Sequence, residues 1–565
     1  MNYCEKWWGW GDLSQSFPKD STQKILNLLP SQWLQKEVDA SIPLAITKKI
    51  EEIELPGIRL SNQDITHFKE IVGEKNFCTD KKTRLCHSFG KSYVDLIQAR
   101  DKKIRFSPDA VIFPEDERHV HEIIAYAHFQ NICVTPFGGG TSVLGGVNPQ
   151  GTEPYQPVLT LSLRHLDKIL KIDAASRMAD VQVGILGPDL EKQLNSHGFT
   201  LGHFPQSFEF STLGGWIATR SAGHSSNHYG RIEDLVLSLK VATPQGILET
   251  KPHPASSCGP NWNEVYLGSE GSFGVITQAS LSLSEIPECK EYLSFLLPSY
   301  QEGLNVLRAI KKNYLSPSIV RLSDPHETQF MIALSDDQPC SKSSRAFLKN
   351  AWRSFPRTFP KNIYLSFGQK LKKISQQQAS LLILCLEGSI NEVSTLKSKI
   401  KTLCKKGLSL GKSVGIKWEK NYFLSPYLRD ELIHRGVLLD TLETVTSWTY
   451  FEKLYLETHK ALKNSLGQDA IVLCHISHIY PTGASLYFTF LAQAHDNPIT
   501  QWIRMKNDVT QVIMNNHGAL SHHHGVGQDH KKWIYDEKGP LVMDQMKALK
   551  KFIDPKNILN PNKLL

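Results

Sequence analysis

Three loops rich in glycine and small hydroxyl residues, all within about 140 residues, constrain this chain more than any other feature of its sequence. The first spans residues 136–142 and holds three consecutive glycines directly after a predicted strand. The second begins at Pro205, and the third occupies residues 268–277. Glycine lets a backbone approach a ligand closely, and consecutive amides can point at a pyrophosphate. The three loops together therefore predict one long, phosphate-bearing cofactor held by backbone.

The first loop matches neither of two common nucleotide-binding patterns. It lacks the GxGxxG spacing of a Rossmann fold and the lysine of a P-loop, which weakens both interpretations. Thr141 and Ser142 end the loop with hydroxyl donors. We expect a side chain placed at Gly139 or Gly140 to collide with the pyrophosphate of the cofactor.

Length and charge narrow the class of protein. A chain of 565 residues exceeds the usual size of one hydrophobic core, so two or three domains are expected. The net charge of +8 is too weak and too spread out to indicate nucleic-acid binding. It is compatible with a substrate that carries phosphate or carboxylate, and with contact to an anionic membrane surface.

The cysteines indicate a reducing compartment. Ten cysteines are scattered without a CxxC pair, so neither a zinc ribbon nor a redox pair is predicted. The first ten residues show no secretory signal, and no apolar stretch approaches the roughly 18 residues of a spanning helix. These features predict a cytoplasmic protein, with peripheral attachment to the inner face of a membrane left open.

The chain alternates predicted strands and helices in an α+β pattern, without internal repeats or the regularity of a TIM barrel. Apolar spacing predicts an amphipathic helix over residues 117–130 and strands over residues 133–136, 381–386 and 485–490. Because the glycine loops stop near residue 290, we expect four regions. They are an N-terminal region over residues 1–100, a cofactor-binding domain over 101–290, a cap or substrate domain over 291–500, and a C-terminal segment with a histidine-rich loop over 501–565.

Four further segments make the pattern specific. They are Glu209-Phe-Ser-Thr-x-Gly-Gly-Trp216, Ser318-Ile-Val-Arg-Leu with Asp324, Tyr427-Leu-Arg-Asp leading to Glu443-Thr444, and Ser521-His-His-His-Gly-Val-Gly527. Together with the glycine loops they resemble the vanillyl-alcohol-oxidase group of PCMH-type flavoproteins. Within that group, the whole chain is most similar to the alkyldihydroxyacetonephosphate synthase (alkylglycerone-phosphate synthase) family.

The resemblance implies a fold and a cofactor. The fold would be a PCMH-type FAD-binding domain of two subdomains plus an α+β cap domain, with the C-terminal segment returning to the FAD side. The cofactor would be non-covalent FAD. By position, the residues holding it would be Pro136, Phe137, Gly138, Gly139, Gly140, Thr141, Ser142, Pro205, Gln206, Ser207, Phe208, Glu209, Phe210, Ser211, Ala218, Thr219, Arg220, Ser221, Glu270, Gly271, Ser272, Phe273, Gly274, Val275 and Ile276.

The resemblance also implies a reaction, in which the acyl chain of acyl-dihydroxyacetone phosphate is exchanged for a fatty alcohol during ether-lipid synthesis. Arg429 would bind the substrate phosphate, for which a planar guanidinium fork is suited. A proton must leave and return next to the substrate carbonyl, and a tyrosine or histidine can carry it. The residues implied for catalysis are Tyr487, His522, His523, His524 and Arg321.

Each of these residues also has an ordinary structural interpretation. Without the family, Arg429 would more often form a surface ion pair, and Tyr487 would more often be a core residue with a bonded hydroxyl. Arg321 alone favours neither alternative. The histidine triplet is harder to explain structurally, because three adjacent histidines outside a terminal tag favour a functional site.

One departure from the family concerns the substrate. His475 and His478 lie where eukaryotic members carry arginine and glutamine, and some related 2-hydroxy-acid dehydrogenases bind a divalent metal at the equivalent strand. The two histidines and one of the triplet would form either a metal-binding cluster or a polar wall of the active site.

Two other functions stay open beside the synthase. The first is an FAD-dependent 2-hydroxy-acid dehydrogenase or oxidase, and the second is a flavin-free binding protein on the same fold. The intact glycine loops oppose the second. In each enzymatic case the partner is a small-molecule lipid or hydroxy acid rather than nucleic acid, and a homodimer is compatible with the sequence. The absence of a peroxisomal extension favours a bacterial, cytoplasmic member.

Overall fold

The computed structural model describes residues 6–30, 33, 50–101, 103–334 and 378–565. Cys4 and Cys340 lie outside these residues, and the free thiols are Cys78, Cys133, Cys258, Cys289, Cys385, Cys404 and Cys474. No helix of the described part is long and apolar enough to cross a membrane.

The N-terminal half carries short strands and helices. Its strands are β1 (Phe77–Cys78), β2 (Ala110–Ile112), β3 (Cys133–Phe137), β4 (Val158–Ser162), β5 (Ile169–Asp173), β6 (Met178–Gln182), β7 (Phe199–Thr200), β8 (Val236–Thr243), β9 (Gly246–Glu249), β10 (Val275–Ser282) and β11 (Ser284–Glu285). Its helices are α1 (Lys19–Leu26), α2 (Asn62–Val72), α3 (Lys81–Cys86), α4 (Tyr93–Gln98), α5 (Glu117–Gln130), α6 (Gly187–Asn195), α7 (Leu213–Thr219), α8 (Ser226–Tyr229), α9 (Ile232–Leu235) and α10 (Asn263–Tyr266).

The C-terminal half carries longer elements. Its strands are β12 (Cys289–Leu297), β13 (Ile319–Ser323), β14 (Ser380–Gly388), β15 (Leu408–Gly411), β16 (Val437–Ser447), β17 (Ile471–Ile476) and β18 (Gly483–Gln493). Its helices are α11 (Tyr300–Lys312), α12 (Pro325–Ala333), α13 (Ile390–Leu403), α14 (Ser413–Asn421), α15 (Ser425–His434), α16 (Phe451–Leu466), α17 (Pro498–Asn515), α18 (Ile534–Lys538) and α19 (Pro540–Ile553).

Helix α5 explains how the first glycine loop is positioned. The Asp116 side chain caps its first turn, and Asn131 ends it in the left-handed conformation. Its apolar side, including Ile123 and Ile124, is fully buried in the main N-terminal core. The chain then enters β3, which pairs in parallel with β4, and the glycine loop leaves at the carboxyl end of β3.

Two sheets build the N-terminal half. One has four strands in the order β1-β2-β4-β3, and the other has five antiparallel strands in the order β5-β6-β10-β8-β9. The second loop leads into α7, and the third loop leads into β10. Each sheet therefore delivers glycine-rich segments toward the same region, as the α+β two-subdomain prediction requires.

The C-terminal half contains one antiparallel sheet in the order β15-β12-β14-β13-β17-β18-β16. Its register pairs Ser323 with His475, His475 with Tyr487, and Tyr487 with Glu443. Directly opposed residues on antiparallel strands share a face, and Arg321 lies two positions from Ser323. Four neighbouring strands thus present polar and ionisable side chains in one row on the same side of the sheet.

The end of the chain returns to the N-terminal half. The amide of Val134 donates to the carbonyl of Ile558 at 2.8 Å, and the amide of Asn560 donates to the carbonyl of Val134 at 2.9 Å. The side-chain amide of Asn560 also donates to the carbonyls of Gly146 and Glu270. The C-terminal segment therefore fastens the first and third loops together.

Candidate active site

A cavity of about 970 Å³ lies between the two sheets of the N-terminal half and the seven-stranded sheet of the C-terminal half, here called the cap sheet. The row of polar side chains on the cap sheet lines it. All four predicted cofactor-binding segments contribute to its wall. The predicted site residues that also line it are Arg321, Arg429, Tyr487, His523 and His524. Residues separated by up to about 390 positions in sequence thus meet around a single space.

Most predicted cofactor residues face this cavity. They are Pro136, Phe137, Gly138, Gly139, Gly140, Thr141, Ser142, Pro205, Gln206, Ser207, Ser211, Ala218, Thr219, Ser221, Glu270, Gly271, Gly274, Val275 and Ile276. Six others are absent from its wall, namely Phe208, Glu209, Phe210, Arg220, Ser272 and Phe273. Phe210 instead packs edge-on against Trp10, and Arg220 pairs with Glu264. The assignment of these six residues to the cofactor stays a prediction.

The glycines of the first loop are required by the protein itself. A Cβ atom at Gly139 would overlap the carbonyl of Phe210 in the second loop, and one at Gly140 would meet the Phe137 ring at 2.5 Å. Gly140 also has a φ of 65°, which disfavours side chains. The first loop therefore needs glycine at both positions for contacts within the protein, and the collision with the pyrophosphate stays a prediction.

Glu270 joins the third loop to the histidine-rich loop. Its carboxylate accepts hydrogen bonds from the amides of Val526, at 2.5 Å, and Gly527, at 2.8 Å. The side chain is buried, and burial raises the pKa of Glu270 above its usual range. The contact fixes the position of the histidine loop relative to the cofactor cradle.

Glu443 organises the histidine triplet, although the sequence interpretation did not single it out. Its carboxylate accepts from the Ser521 hydroxyl at 2.5 Å and from the amides of His522, His523 and His524 at 2.5, 3.2 and 2.9 Å. Burial opposes ionisation, but the facing imidazoles and the Ser521 hydroxyl hold the pKa of Glu443 well below its usual range. One buried carboxylate thus shapes the whole loop.

The three histidines occupy different places. His523 and His524 line the cavity, whereas His522 lies behind them. The Nε2 atom of His522 is 2.6 Å from the Tyr480 hydroxyl, and its Nδ1 atom is 2.9 Å from Nδ1 of His523. His522 therefore contacts His523 and does not line the cavity, and its catalytic role stays a prediction.

Tyr487 stands at the centre of the imidazoles. Its ring stacks on His475 at 4.9 Å between centroids and on His523 at 6.0 Å, and it meets His524 edge-on at 5.8 Å. Burial raises the pKa of Tyr487 above its usual range, so the phenol stays protonated at neutral pH. The geometry places this hydroxyl group on a rigid strand beside cavity-lining histidines.

Arg321 reaches the same group of rings through a carboxylate. Its guanidinium donates to Glu327 at 2.8 Å, and the same Glu327 oxygen lies 3.1 Å from Nδ1 of His475. Although burial opposes ionisation, Arg321 and His475 lower the pKa of Glu327 to about 2. Arg321, Glu327 and His475 thus form a continuous chain of contacts that ends at the Tyr487 ring.

Arg429 lies on helix α15 and lines the same cavity. Its guanidinium donates to the Lys91 carbonyl at 2.6 Å and to Asp440 at 3.4 Å. The carboxylate of Asp440 also accepts from the Trp502 indole at 2.7 Å. The side chain is therefore held in place at the cavity wall, with one short bond to a backbone carbonyl and one long bond to a carboxylate.

The geometry does not favour the metal site proposed for His475 and His478, because the His478 ring already contacts other protein groups. Nε2 of His478 contacts the Gly223 carbonyl at 3.3 Å, and its Nδ1 contacts the Ser477 hydroxyl. Among the described residues, the group with metal-like spacing is Glu443, His522 and His523. The oxygens of Glu443 already accept four donors from the loop, so this group fits a loop anchor better than an ion site.

Burial keeps the cavity imidazoles neutral. It lowers the pKa of His523 and of His478 to about 3, and it also lowers the pKa of His524 and His475. A neutral imidazole can both donate and accept a hydrogen bond. An entering phosphate dianion would favour the charged form and raise these pKa values, so the site is suited to holding an anion beside proton-carrying groups.

The cavity also has an apolar part. Side chains from α1, α12, α15 and the cap strands form it, and they are Phe17, Ile25, Phe330, Leu334, Leu428, Leu439, Leu473 and Leu491. These apolar side chains suit a long hydrocarbon chain. The site therefore combines a polar reaction region with an apolar pocket of a different chemical character.

Comparisons with known proteins agree with this geometry. Residues 108–251 match the family model for an FAD binding domain, and residues 286–564 match the model for the C-terminal domain of FAD linked oxidases. The chain is 33% identical to alkyldihydroxyacetonephosphate synthase of Dictyostelium discoideum, over 99% of this chain and 93% of that protein. The corresponding values for the Trypanosoma brucei brucei enzyme are 32%, 99% and 92%.

Solved structures and more distant relatives extend the comparison. A structure of alkyldihydroxyacetonephosphate synthase superimposes with a TM-score of 0.81 at 29% identity, covering 99% of this chain and 98% of that chain. Substrate-bound p-cresol methylhydroxylase, at 14% identity and a TM-score of 0.66 over 89% of this chain and 96% of its own, shares the fold. Glycolate oxidase subunit GlcD of Bacillus subtilis (strain 168) is 24% identical over 88% of this chain and 95% of its own.

Proposed function

This chain belongs to the alkyldihydroxyacetonephosphate synthase family of FAD-dependent enzymes, and from that premise we propose that it replaces the acyl chain of acyl-dihydroxyacetone phosphate with a fatty alcohol. The observation that supports this most strongly is the single cavity in which an arginine, a proton-carrying cluster, a cofactor cradle and an apolar pocket meet. Each part matches one component of the reaction.

We assign the substrate phosphate to Arg429. The Lys91 carbonyl holds the side chain of this residue on the cavity wall. A phosphate dianion can displace the long contact to Asp440 and engage the planar fork in two hydrogen bonds. The neutral histidines that line the same cavity would then be available for the carbon that loses and regains a proton.

We assign proton transfer to Tyr487 together with the cavity imidazoles. Its phenol has a high pKa and is a weak base alone, so it acts by donating or sharing a proton with its stacked neighbours. When bound, FAD would supply an electrophilic centre for the exchange. The glycine cradle fits its pyrophosphate, and the chain of Arg321 and Glu327 keeps the ring beside Tyr487 in place.

The two hydrocarbon chains fit the apolar pocket. Transfer of apolar surface from water is favourable by about 25 cal/mol per Å², so a long alkyl chain gains most of its binding energy there. A small 2-hydroxy acid would leave that pocket unused. The second candidate, a hydroxy-acid dehydrogenase, is favoured by the two additional histidines, His475 and His478, and by similarity to the glycolate oxidase subunit.

Peripheral membrane contact is part of the proposal, since both hydrocarbon substrates partition into lipid. Helix α1 lines the apolar pocket, and Leu13 and Leu28 on either side of it are exposed to solvent at 44% and 37%. Apolar side chains at that position can rest against a lipid surface and shorten the path of a hydrocarbon chain into the cavity.

A labelled substrate tests the function. Purified protein is incubated with acyl-dihydroxyacetone phosphate and a radiolabelled fatty alcohol, without an electron acceptor, and the phosphorylated lipid product is counted. Label in an alkali-stable ether product, matched by release of one fatty acid per ether formed, is expected. Absence of label together with acceptor-dependent oxidation of a 2-hydroxy acid would select the dehydrogenase instead.

A further inference from the structure

The histidine triplet and His475 both face the cavity. Their hydrogen bonds make the triplet a proton donor and His475 a proton acceptor. The Arg231 side chain hydrogen-bonds Tyr480, so the Tyr480 oxygen accepts and its hydroxyl proton is directed at Nε2 of His522. His522 then carries its proton on Nδ1 and donates to Nδ1 of His523. The remaining proton of His523 resides on Nε2. The triplet therefore offers the cavity a hydrogen-bond donor.

His475 has the reverse arrangement. Its Nδ1 lies 3.1 Å from the ionised carboxylate of Glu327, which can only accept, so the proton of His475 sits on Nδ1. No hydrogen bond within the described part of the chain engages Nε2, and the residue lines the cavity. A lone pair on Nε2 is therefore presented to the substrate, as a general base requires.

The triplet and His475 also differ in their distance from the nearest carboxylate. Glu443 lies 3.7 Å from Nδ1 of His523 and of His524, beyond hydrogen-bond length, and its oxygens are taken by the loop amides. Glu327 meets His475 within hydrogen-bond length. A carboxylate in direct contact holds the ring in one tautomer and stabilises the imidazolium that forms when the base takes a proton. His475 is the better placed base.

We propose that His475 is a further catalytic residue, the general base that takes the hydroxyl proton of the incoming fatty alcohol, with Glu327 as its positioning residue. This rests on the proposed function. The bond between the substrate carbon and the acyl oxygen breaks first, and the acyl chain leaves as a carboxylate. The alcohol oxygen then forms its bond to that carbon, its O–H bond breaks as the proton passes to Nε2, and the imidazolium releases this proton to solvent. The exchange needs no oxidant or reductant.

Charged and titratable groups face His475 from every packed element. Arg321 from β13 disfavours the imidazolium and Glu327 from α12 favours it, while Tyr487 from β18 and His523 from the loop complete the surroundings. Because Glu327 is in direct contact, its removal lowers the pKa of His475. A base acts when deprotonated, so a lower pKa moves the acid limb of the pH–rate profile to lower pH.

His475→Gln tests the base directly. Glutamine keeps a donor toward Glu327 but cannot take a proton. The control is His459→Gln, which changes a half-buried histidine of α16 outside the cavity wall. Single turnovers follow two labels, the leaving acyl chain and the entering alcohol. We expect alcohol incorporation to fall by about two to four orders of magnitude, with acyl release within about threefold of the parent and flavin absorbance retained in both variants.

Three outcomes overturn the inference. If His475→Gln incorporates alcohol at close to the parent rate, His475 is not the base. If acyl release and alcohol incorporation fall equally, His475 has a structural role. If that variant loses its flavin, Glu327→Gln replaces it, and an acid limb that does not move to lower pH then contradicts the inference. Failure of the parent itself to incorporate alcohol contradicts the proposed function instead, so the two failures are distinguishable.

Discussion

Two buried carboxylates, Glu327 and Glu443, decide how the imidazoles of this site are held. Glu443 binds a run of consecutive amides and fixes the backbone of the histidine loop, whereas Glu327 binds one ring nitrogen and fixes a tautomer. Buried carboxylates are stable only when their oxygens are well paired. A buried glutamate therefore fixes the conformation of a loop at position 443 and the protonation of a histidine ring at position 327.

Glu443→Gln is expected to destabilise the protein and inactivate it. The amide group would direct its own N–H donors at the loop amides, and losing hydrogen bonds to a charged acceptor costs about 1.5–3 kcal/mol. Because the folded-state pKa of Glu443 lies below the unfolded value of about 4.3, its contribution is present above that pH and is lost as the pH falls through the folded pKa. Urea unfolding of both proteins at several pH values measures it.

The matched control is Glu264→Gln, which removes a solvent-exposed carboxylate paired with Arg220. An exposed pair contributes about 0–1 kcal/mol, so this variant should unfold like the parent. A stability difference for Glu443→Gln that stays constant from pH 7 to below pH 3 would show that the charge of Glu443 plays no part.

Tyr487→Phe removes only a hydroxyl group, so folding and flavin content should be unchanged. Turnover is expected to fall by about two to four orders of magnitude if the hydroxyl carries a proton. The double variant with His523→Gln should be little worse than the more damaging single variant, because residues acting as a unit are not additive. Near-parental turnover of Tyr487→Phe would exclude the hydroxyl from the reaction.

Arg429→Lys keeps the charge but loses the planar fork, so weaker binding of the phosphorylated substrate is expected, with KM raised by about tenfold or more. Arg435→Lys is the control, since Arg435 caps the C-terminus of the same helix but pairs with Glu431 outside the cavity. Steady-state kinetics with varied substrate measure both. Unchanged KM in Arg429→Lys would show that the arginine has a structural role.

The sequence identified residues that form an unusual motif, but it did not reveal the buried carboxylates that position them. Three adjacent histidines and an arginine in a recognisable segment were identified, and the structure brings most of them to one cavity. Glu327 and the role of Glu443 were missed, because a carboxylate in a strand or at a helix start usually signals solvent exposure. The register of β16, β17 and β18 would have revealed Glu443, but it is not visible in the sequence.

At the scale of elements, the three glycine loops act as one unit. The first loop lies against the backbone of the second, and the Gly271 position in the third packs on Pro136 of the first. Because each loop packs against another, a substitution in one loop should abolish cofactor binding even if the new side chain does not contact the cofactor.

Gly139→Val is expected to give protein without flavin. Its side chain would overlap the Phe210 carbonyl, so the first and second loops must separate. Gly57→Val is the control, because a Cβ atom there meets nothing within 4 Å. The ratio of flavin to protein absorbance measures the outcome. Full flavin content in Gly139→Val would refute the idea that loop–loop packing builds the cradle.

The elements predicted best were those with regular apolar patterns. The helix over residues 117–130 was predicted with its observed bounds, and the apolar run at 381–386 lies within the buried strand β14. Strand β16 was not predicted, because Asp440 and Glu443 interrupt its apolar pattern. The helix that carries Arg429 was also missed, since its sequence lacks a strong apolar face and only tertiary packing favours it.

At the scale of the molecule, the site exists only when the chain closes on itself. The N-terminal half supplies the cradle, the cap sheet supplies the polar row, and residues 501–565 supply the histidine loop and then return to β3. No single segment could have been assigned a complete site from sequence. The resemblance to a family identified the participants, and the long-range contacts explain why they lie together.

The central claim is that this fold performs an exchange without net oxidation or reduction. Flavin absorbance during anaerobic turnover tests it most directly, with acyl-dihydroxyacetone phosphate and fatty alcohol in large excess over enzyme and no electron acceptor present. The account predicts many turnovers per enzyme while the flavin spectrum between turnovers remains that of the oxidised cofactor. Bleaching of the flavin, with product limited to one equivalent per enzyme until an acceptor is added, would contradict it.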